Sequence, residues 1–308
     1  MAKKSSRSGL KVWLDGKIIR YEDAQVPILT HSLQYGSGIF EGIRCYEGKS
    51  RSAIFRLDEH IKRFLRTAKI YSMNLGYSEK ELVKAVVQTV KANKLKSCYI
   101  RPYAFYNSDE IGIGSYGKKV SVYIAAVPFG AYFGSGKEKG IRCKISSWRR
   151  INSSILPVEA KASGNYINSI IANTEAKASG FDETILLSTS GYVAEGGGEN
   201  IFTVKYSHLI TPDASADILM GVTRDTVIKL AENTGIVVEE RELHKEELYS
   251  ADEVFFAGTA AEITPIVNID GIHIGNGKPG PITKVLAQKY SDVVTGNDKE
   301  FEDWLTYV

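Results

Sequence analysis

A stretch with three glycines and no helical period nearby, residues 128–139, separates two halves of this chain of 308 residues. We interpret this stretch, which contains Gly130, Gly134 and Gly136, as a linker. A chain of this length is enough for about two domains. The sequence therefore predicts an N-terminal α/β domain over residues 1–130 and a C-terminal α/β domain over residues 131–308.

The first half contains the start signals of a hairpin and of two helices. Apolar residues on both sides of Asp15-Gly16 indicate a β-hairpin, because this dipeptide suits a tight turn. Asp58 is predicted to cap one helix and Ser78 the next. Their apolar positions follow helical spacing: Ile61, Phe64, Leu65 and Ala68, then Leu82, Val86 and Val90. Two β-rich runs, residues 97–106 and 120–127, complete this half.

The second half restarts with a strand pattern at residues 141–147. Asn165 is predicted to open a helix that Gly180 stops, and Thr223 to cap another that ends before Gly235. The apolar positions of the first of these helices follow helical spacing: Ile167, Ile170, Ile171 and Ala178. Further strand patterns lie at residues 184–188, 192–195, 200–205, 254–257 and 262–269, and a closing helix at 282–293. We expect a mixed α/β fold with largely antiparallel sheets.

Composition is that of an ordinary globular protein, with 43% hydrophobic and 24% charged residues. A net charge of +3 is too small to indicate nucleic-acid binding, and the basic start at residues 3–7 is expected to be a disordered tail. No apolar run approaches the roughly 20 residues that span a bilayer, and the N-terminus lacks an apolar signal segment. No Cys-x-x-Cys pair is formed by Cys45, Cys98 and Cys143, so we expect no disulfides and a cytoplasmic location. The five histidines show no ligand spacing, so we expect no bound metal.

Four separate segments carry the parts of one cofactor site. Residues 161–166 supply Lys161, and a lysine can form a Schiff base with an aldehyde cofactor. Residues 195–202 begin with a carboxylate that can keep a pyridine nitrogen protonated. Residues 221–225 and 258–265 supply hydroxyls and the backbone N–H groups of a helix start, which can hold a phosphate. Together these parts indicate a pyridoxal 5′-phosphate (PLP) site.

Each part also has a simpler explanation when taken alone. For Glu195, a solvated turn residue beside a bulge at residues 196–198 explains the sequence equally well. Thr223 is plausible as a simple helix cap, and Thr259 as a hydroxyl without a role at the end of a strand. The cofactor site gains weight only because several segments supply complementary groups.

The glycines of Gly112-Ile-Gly-Ser-Tyr-Gly117 match the spacing of a dinucleotide fingerprint. The fingerprint requires a helix after it, whereas a strand pattern follows here. Lys119 stands where a phosphate-binding loop requires Ser or Thr after its Lys. We therefore interpret residues 112–117 as a loop between two strands.

Six segments, in order along the chain, form a recognisable set. They are His31-Ser-Leu-Gln-Tyr-Gly36, Phe40-Glu-Gly-Ile-Arg44, Tyr99-Ile-Arg-Pro102, Lys161-Ala-Ser-Gly-Asn-Tyr166, Glu195-Gly-Gly-Gly-Glu-Asn-Ile-Phe202 and Gly258-Thr-Ala-Ala-Glu-Ile-Thr-Pro265. With them the chain resembles the branched-chain-amino-acid aminotransferases, which belong to the fold type IV class of PLP enzymes. The resemblance covers nearly the whole chain, from about Val12 to Trp304.

The resemblance implies roles toward the cofactor. Lys161 looks like the Schiff-base lysine and proton carrier, and Glu195 like the partner of the pyridine nitrogen. Tyr166 would hydrogen-bond the phenolic oxygen of PLP, and Arg63 would pair with its phosphate. Four further residues would assist Arg63: Gly196, Val222, Thr223 and Thr259.

The resemblance also implies a substrate pocket, lined by Phe40, Tyr99, Arg101, Phe129, Tyr132, Ala260 and Ala261. Phe40 and Tyr132 would offer an apolar wall to leucine-type side chains, and Arg101 would meet the second carboxylate of 2-oxoglutarate. Tyr35 and the loop from Ile113 to Ser115 would enter from a neighbouring subunit, which makes a homodimer the minimal unit and leaves a hexamer open. Phe129 departs from the bacterial pattern, which often has Trp there, so the size preference of the pocket is open.

The implied reaction is transamination between branched-chain L-amino acids and 2-oxoglutarate. Two alternatives of the same fold remain, a D-amino-acid aminotransferase and an aminodeoxychorismate lyase. D-enzymes usually place an Arg-x-His pair after the strand that here reads Ile100-Arg-Pro-Tyr-Ala-Phe105, and that pair is missing. A non-enzymatic PLP-binding homologue is a third alternative, against which Lys161, Glu195, Tyr166 and Arg63 argue.

Overall fold

The computed structural model describes Arg7 and residues 9–308. The predicted basic tail lies outside the described residues apart from Arg7. The chain forms two compact units. One consists of the chain up to Gly130 together with residues 160–164 and 294–308, and the other of residues 131–159 and 165–293.

The secondary-structure elements are numbered in chain order. The strands are β1 (Lys11–Leu14), β2 (Lys17–Arg20), β3 (Ile39–Phe40), β4 (Ile43–Glu47), β5 (Ser52–Phe55), β6 (Cys98–Tyr106), β7 (Val120–Pro128), β8 (Ile141–Arg149), β9 (Glu183–Leu187), β10 (Val193–Gly196), β11 (Asn200–Lys205), β12 (His208–Thr211), β13 (Val238–Glu240), β14 (Glu253–Gly258), β15 (Glu262–Ile269), β16 (Ile272–His273) and β17 (Leu305–Tyr307). The α-helices are α1 (His31–Tyr35), α2 (Leu57–Ile70), α3 (Glu79–Asn93), α4 (Gly136–Lys139), α5 (Tyr166–Ala178), α6 (Val222–Asn233), α7 (Lys245–Tyr249) and α8 (Pro281–Val294).

Two segments depart from the predicted domain division, because residues 160–164 and 294–308 belong to the first unit. Lys161, expected in the C-terminal domain, therefore lies in the first unit. The Phe40 N–H donates to the Lys161 carbonyl at 3.0 Å, and the Ser163 N–H donates to the Gly38 carbonyl at 2.8 Å. The last strand, β17, pairs with β5. Hydrogen bonds between residues so distant in sequence leave no periodic pattern in the chain.

The first unit is built on an eight-stranded sheet with the order β17-β5-β4-β6-β7-β1-β2, in which β3 pairs with β6 and the pairs are antiparallel. Side chains alternate between the two faces of a strand. In β6 the alternation puts Cys98 and Ile100 in the hydrophobic core with helices α2 and α3, and leaves Tyr99 and Arg101 on the opposite face. That opposite face carries the polar and aromatic residues predicted for the substrate.

Local predictions in the first unit are confirmed except for one helix cap. The Asp15-Gly16 hairpin forms, with Asp15 at φ 44° and Gly16 at φ 90°. Ser78 caps α3 in a reciprocal capping box with Glu81. The Asp58 cap is wrong, because α2 begins at Leu57 and Arg56 takes the cap position, two residues earlier, in a left-handed conformation. The Arg56 N–H donates to the Trp304 carbonyl at 2.7 Å, so a distant segment fixes where this helix begins.

The second unit is built on a mixed sheet of nine strands with the order β10-β9-β8-β15-β14-β11-β12-β13, in which β16 pairs with β15. Three pairs are parallel, β8 with β9, β8 with β15 and β12 with β13, and the others are antiparallel. Phe202, Phe255 and Phe256 are fully buried in this sheet. The predicted class, mixed α/β with largely antiparallel sheets, is confirmed.

Helix α5 buries a different face from the one that its apolar spacing marks. Ile167 is 60% exposed and Ile170 is 57% exposed, whereas Ser169, Ala172 and Ala176 are buried. The helix packs on β8 and β9. Small side chains on the packed face allow close approach to the sheet, and the larger isoleucines remain on the outside.

The two glycine-containing stretches behave differently. Residues 107–119 form the predicted loop between β6 and β7. The predicted linker at 128–139 is shorter than expected, since Pro128 ends β7 and residues 136–139 form the single-turn helix α4. Among the described residues, no helix has the length and apolar character needed to cross a membrane.

Candidate active site

Lys161 lies beside β3 in the first unit, held by its backbone. Its carbonyl accepts from the Phe40 N–H at 3.0 Å, and its own N–H donates to the Thr67 hydroxyl at 3.3 Å. Its Nζ atom is 5.1 Å from the centroid of the Phe40 ring, and the residue is half-buried. A partly desolvated amine on a fixed backbone is suited to nucleophilic attack on a carbonyl.

A buried carboxylate, Glu41, binds Arg63 close to this lysine. The Arg63 Nε and Nη2 atoms donate to the two Glu41 oxygens at 2.6 and 2.9 Å, and the His60 Nδ1 atom is 2.8 Å from Glu41 Oε2. Burial alone would raise the pKa of Glu41, but the charge and hydrogen bonds of Arg63 hold it well below its usual value. Burial, together with the charges of Arg63 and Lys161, lowers the pKa of His60. Arg63 is therefore the permanent positive charge of the cluster, because a guanidinium does not lose its proton in a protein.

Arg101 places a fixed positive charge on the aromatic face of the first sheet. Its Nη2 atom donates to the Tyr99 hydroxyl at 3.1 Å, and its guanidinium carbon is 4.4 Å from the centroid of the Phe40 ring. Tyr99, Arg101 and Tyr123 line a cavity of about 530 Å³. A guanidinium stacked on rings at a cavity wall is suited to binding a carboxylate.

Phe129 packs on the same face as Arg101. Its ring centroid is 5.1 Å from that of Tyr99, and the guanidinium carbon of Arg44 is 5.0 Å from its ring centroid. The position predicted to set pocket size therefore contacts one of the residues predicted to line that pocket.

Tyr35 and the 112–117 loop contact each other within the first unit. The Gly112 N–H donates to the Tyr35 hydroxyl at 3.0 Å. Ile113 is 86% exposed and Tyr116 is 96% exposed, while Ser115 is half-buried. Large apolar side chains held this far into solvent mark a surface suited to a partner.

Glu195 lies at the end of β10 in the second unit, with protein partners at both carboxylate oxygens. Arg150 Nε is 2.7 Å from Oε1, and the N–H does not point along this contact, so the pair is an ion pair rather than an aligned hydrogen bond. The Asn200 side-chain amide donates to Oε2 at 3.3 Å, and the Leu219 N–H donates to it at 3.1 Å. The Glu195 side chain is 10% exposed, so these contacts fix a nearly buried carboxylate.

Two of the three glycines that follow Glu195, Gly196 and Gly197, lie where a side chain would be crowded. A Cβ atom on Gly196 would be 2.8 Å from the Phe256 ring, and one on Gly197 would be 2.8 Å from a Glu183 oxygen. The glycines therefore keep the backbone of the 195–199 hairpin bare, as a flat ring lying against it would require.

Helix α6 begins after Gly221, whose side chain offers no acceptor to the N–H groups of the first turn. The predicted Thr223 cap is wrong, because Gly221 is the cap residue and Thr223 is the second helical residue. Val222 and Thr223 are both buried. A Cβ atom on Gly221 would be 2.2 Å from the Asn200 side-chain oxygen, so only glycine fits. A helix N-terminus capped by glycine is suited to binding an anion.

The remaining predicted residues of the second unit lie in exposed or half-buried positions, with one exception. Thr259, Ala260 and Ala261 form the turn between β14 and β15, where Ala261 is 4% exposed and the other two are half-buried. Tyr166 is half-buried at the start of α5. Tyr132 is 52% exposed and packs on Phe133, with ring centroids 4.8 Å apart.

Within the first unit the structure thus brings Lys161, Phe40, Arg101, Tyr99 and Phe129 into one chain of contacts. Within the second unit it places Glu195 and the start of α6 side by side through Asn200. The sequence did not indicate four residues that bind the predicted site residues or their partners: Glu41 and His60 beside Arg63, and Arg150 and Asn200 beside Glu195. Glu41 and Asn200 lie inside quoted motifs and could have been suspected, whereas His60 and Arg150 carry no local signal.

The comparisons with known proteins agree on one family. Residues 38–269 match the family model for class IV amino-transferases. The chain is 43% identical over 299 residues to the branched-chain-amino-acid aminotransferase of Escherichia coli (strain K12), covering 96% of this chain and 97% of that protein.

Solved structures give the same result. The branched-chain aminotransferase of Thermoproteus uzoniensis with norvaline matches with a TM-score of 0.93 at 48% identity, covering 97% of this chain and 99% of that chain. The branched-chain amino acid aminotransferase of Thermobaculum terrenum in its PLP form matches with a TM-score of 0.92 at 36% identity, covering 98% of this chain and 99% of that chain.

Proposed function

We propose a reaction for this chain, which belongs to the class IV aminotransferases and, among them, to the branched-chain-amino-acid aminotransferases. The protein exchanges amino groups between leucine, isoleucine or valine and 2-oxoglutarate. The products are branched-chain 2-oxo acids and L-glutamate. The observation that carries this proposal is similarity to branched-chain enzymes over nearly the whole chain.

The cofactor is pyridoxal 5′-phosphate, and the residues present fit it. PLP presents an aldehyde, a flat ring with a basic nitrogen, and a phosphate. The chain offers a half-buried amine at Lys161, a nearly buried carboxylate at Glu195 and a glycine-capped helix start at Val222. Each chemical feature of the cofactor therefore has a complementary group.

We assign the covalent attachment of PLP to Lys161 Nζ. Glu195 is assigned to bind the ring nitrogen, and Tyr166 to hydrogen-bond the phenolic oxygen. Arg63 is assigned the phosphate, together with Gly196, Val222, Thr223 and Thr259. The contact of Arg63 with Glu41 supports this, because a guanidinium held on a buried carboxylate keeps a fixed orientation.

When bound, PLP supplies an aldehyde that takes up an amino group and a protonated ring that accepts the electrons of a breaking C–H bond. Lys161 would hold the cofactor, and its amine would carry a proton from the α carbon of the amino acid to the carbon that bears the aldehyde in PLP, and in the opposite direction in the second half of the exchange. Glu195 holds the positive charge on the ring nitrogen in place. The hydrogen bonds to the Lys161 backbone fix its main chain, so the amine moves only by rotation about the bonds of the lysine side chain.

The substrate side chain is assigned to an apolar and aromatic wall with one cation. Phe40 and Tyr132 supply the wall, with Tyr99, Phe129, Ala260 and Ala261. Arg101 supplies a charge for the second carboxylate of glutamate and 2-oxoglutarate, which the branched-chain substrates lack.

We further propose a cytoplasmic homodimer as the minimal active unit, in which Tyr35, Ile113 and Ser115 reach the site of the neighbouring subunit. The hydrogen bond between Gly112 and Tyr35 and the exposure of Ile113 support it, because they place Tyr35 and the loop together on one exposed surface. The three buried free cysteines fit a reducing compartment.

A substrate panel tests the proposed reaction. Purified protein reconstituted with PLP is given L-leucine, L-valine or D-alanine with 2-oxoglutarate, and glutamate formation is measured. Turnover of the L-amino acids without turnover of D-alanine is expected. Preference for D-alanine, or formation of pyruvate when aminodeoxychorismate alone is supplied in a separate assay, would replace the proposal with one of the two other activities of this fold.

A further inference from the structure

Arg150 is the cation that lies against the Glu195 carboxylate. It directly follows β8, and its N–H donates to the Leu187 carbonyl at 2.8 Å, which fixes the backbone next to β9. The residue is 6% exposed, and its Nε atom is 2.7 Å from Glu195 Oε1. A charge this well buried is normally retained only against an opposite charge.

The surroundings of Glu195 are otherwise acidic. Glu183 is 4% exposed and Glu199 is 6% exposed, and both approach the glycines that follow Glu195. Burial raises the pKa of Glu183, so desolvation in this region favours the protonated form of a carboxyl group. Burial and neighbouring carboxylates both favour the protonated form of an acid. A protonated Glu195 could not stabilise a positive charge on a ring nitrogen.

The other oxygen of Glu195 is held by neutral donors. The Asn200 amide and the Leu219 N–H both donate to Oε2, and the same Asn200 amide donates to the Leu219 carbonyl at 2.9 Å. These contacts orient the carboxylate but carry no charge. Arg150 is a buried cation in contact with the carboxylate, and its charge favours the ionised form of Glu195.

We propose that Arg150 is a positioning residue that keeps Glu195 ionised, so that the ring nitrogen of PLP is bound as a cation. This rests on the proposed role of Glu195 in the transaminase. Arg150 acts through Glu195, and its effect is specific to a ligand whose ring can carry the proton. An arginine suits this task because it stays protonated under all conditions at which the protein is folded.

A comparison of two cofactors tests the proposal. The dissociation constants of PLP and of an analogue with a C–H group in place of the ring nitrogen are measured for the wild type and for Arg150→Met. The substitution is expected to weaken PLP binding by about tenfold or more, as the loss of a charge-assisted contact would. The constant for the analogue is expected to stay unchanged. Arg149→Met is the matched control, since Arg149 is the exposed neighbour, and it should change neither constant.

A double-mutant cycle separates action through Glu195 from a general structural role. In the Glu195→Gln background, Arg150→Met is expected to leave the PLP dissociation constant unchanged, because the carboxylate to be kept ionised is gone. Equal weakening of PLP and analogue, or the same loss of PLP binding with and without the Glu195→Gln substitution, would overturn the proposal.

A measurement on the wild type keeps the test independent of any variant that fails to fold. The ¹⁵N chemical shift of PLP labelled at the ring nitrogen should fall in the range of a protonated pyridine, and Arg150→Lys should retain it. A neutral ring nitrogen in the wild type would overturn the proposal. Failure of the proposed substrates in the panel leaves these binding and shift results unaffected, so the two ideas fail separately.

Discussion

The Nζ atom of Lys161 is expected to become the attachment point of the cofactor. Purified protein should be yellow, and borohydride reduction should fix PLP to Lys161, because this amine is half-buried and held beside Phe40. Peptide mapping after reduction identifies the labelled lysine. Lys161→Ala is the control and should take up no label, and a label on another lysine in the wild type would contradict the assignment.

At the same scale, Glu41→Gln should destabilise the protein and loosen the phosphate site. The substitution leaves the buried Arg63 charge without its carboxylate, and breaking a buried pair costs about 3–5 kcal/mol. Chemical denaturation measures this cost, and a cofactor titration should show weaker PLP binding, as should Arg63→Ala. Glu47→Gln, which alters an exposed pair with Lys96, is the control and should have a much smaller effect.

The pH dependence of stability follows from the same carboxylate. The pKa of Glu41 is lower in the folded protein than its usual value of 4.5, so its contribution is fully present above that value and is lost as the pH falls below it. Wild type should therefore lose free energy of unfolding on acidification below pH 4.5 more steeply than Glu41→Gln. Parallel curves for the two proteins would show that Glu41 is not the responsible group.

Phe129 is predicted to widen the pocket relative to Trp at the same position. Its ring packs on Tyr99, so a larger ring there would take space from bulky substrates. Phe129→Trp should lower kcat/KM for phenylalanine more than for valine. Equal losses on both amino acids would place Phe129 outside the part of the pocket that senses substrate size.

At the scale of the element, the start of α6 is expected to tolerate only glycine at its cap. In Gly221→Ala the new Cβ would lie 2.2 Å from the Asn200 side-chain oxygen, which also belongs to the residue that binds Glu195. We expect a loss of about 1–3 kcal/mol in the free energy of unfolding and weaker PLP binding. Gly130→Ala, where a Cβ meets open space, is the control. An unchanged cofactor dissociation constant in Gly221→Ala would argue against a phosphate at this helix.

Helices α3 and α5 show what an element does and does not carry in its own sequence. Ser78 and Glu81 cap α3 within one turn, so this boundary is local and is predicted correctly. The isoleucine spacing of α5 identifies the helix but not its packed face, because Ala172 and Ala176 contact the sheet instead. Helical period is a property of the segment, whereas the choice of face depends on how closely β8 and β9 approach.

At the scale of the whole molecule, the smallest active unit should be a dimer with shared sites. Lys161→Ala protein and protein lacking residues 113–115 should each be nearly inactive, since one lacks the amine and the other the loop that is proposed to enter its neighbour. Unfolded together and refolded as a mixture, they should regain activity above the sum of the two parents. The activity is measured with L-leucine and 2-oxoglutarate. Hybrid dimers that form but stay inactive would mean that each site is built from one chain.

The sequence by itself determined the features whose signals are local. The Asp15-Gly16 hairpin, the Ser78 cap, most strand positions and the six family segments each lie within a few consecutive residues. They were sufficient for the fold class, the family and the cofactor.

Tertiary structure decided which distant residues meet. Lys161 belongs to the first unit because its backbone bonds to Phe40 and Thr67, and Arg63 and Glu195 have their charges balanced by Glu41 and Arg150. None of these partners is a neighbour in sequence or shares a period with the residue it binds. A buried charge requires a partner somewhere, but the identity of that partner is set by which strands and helices the fold brings within a few ångströms of it.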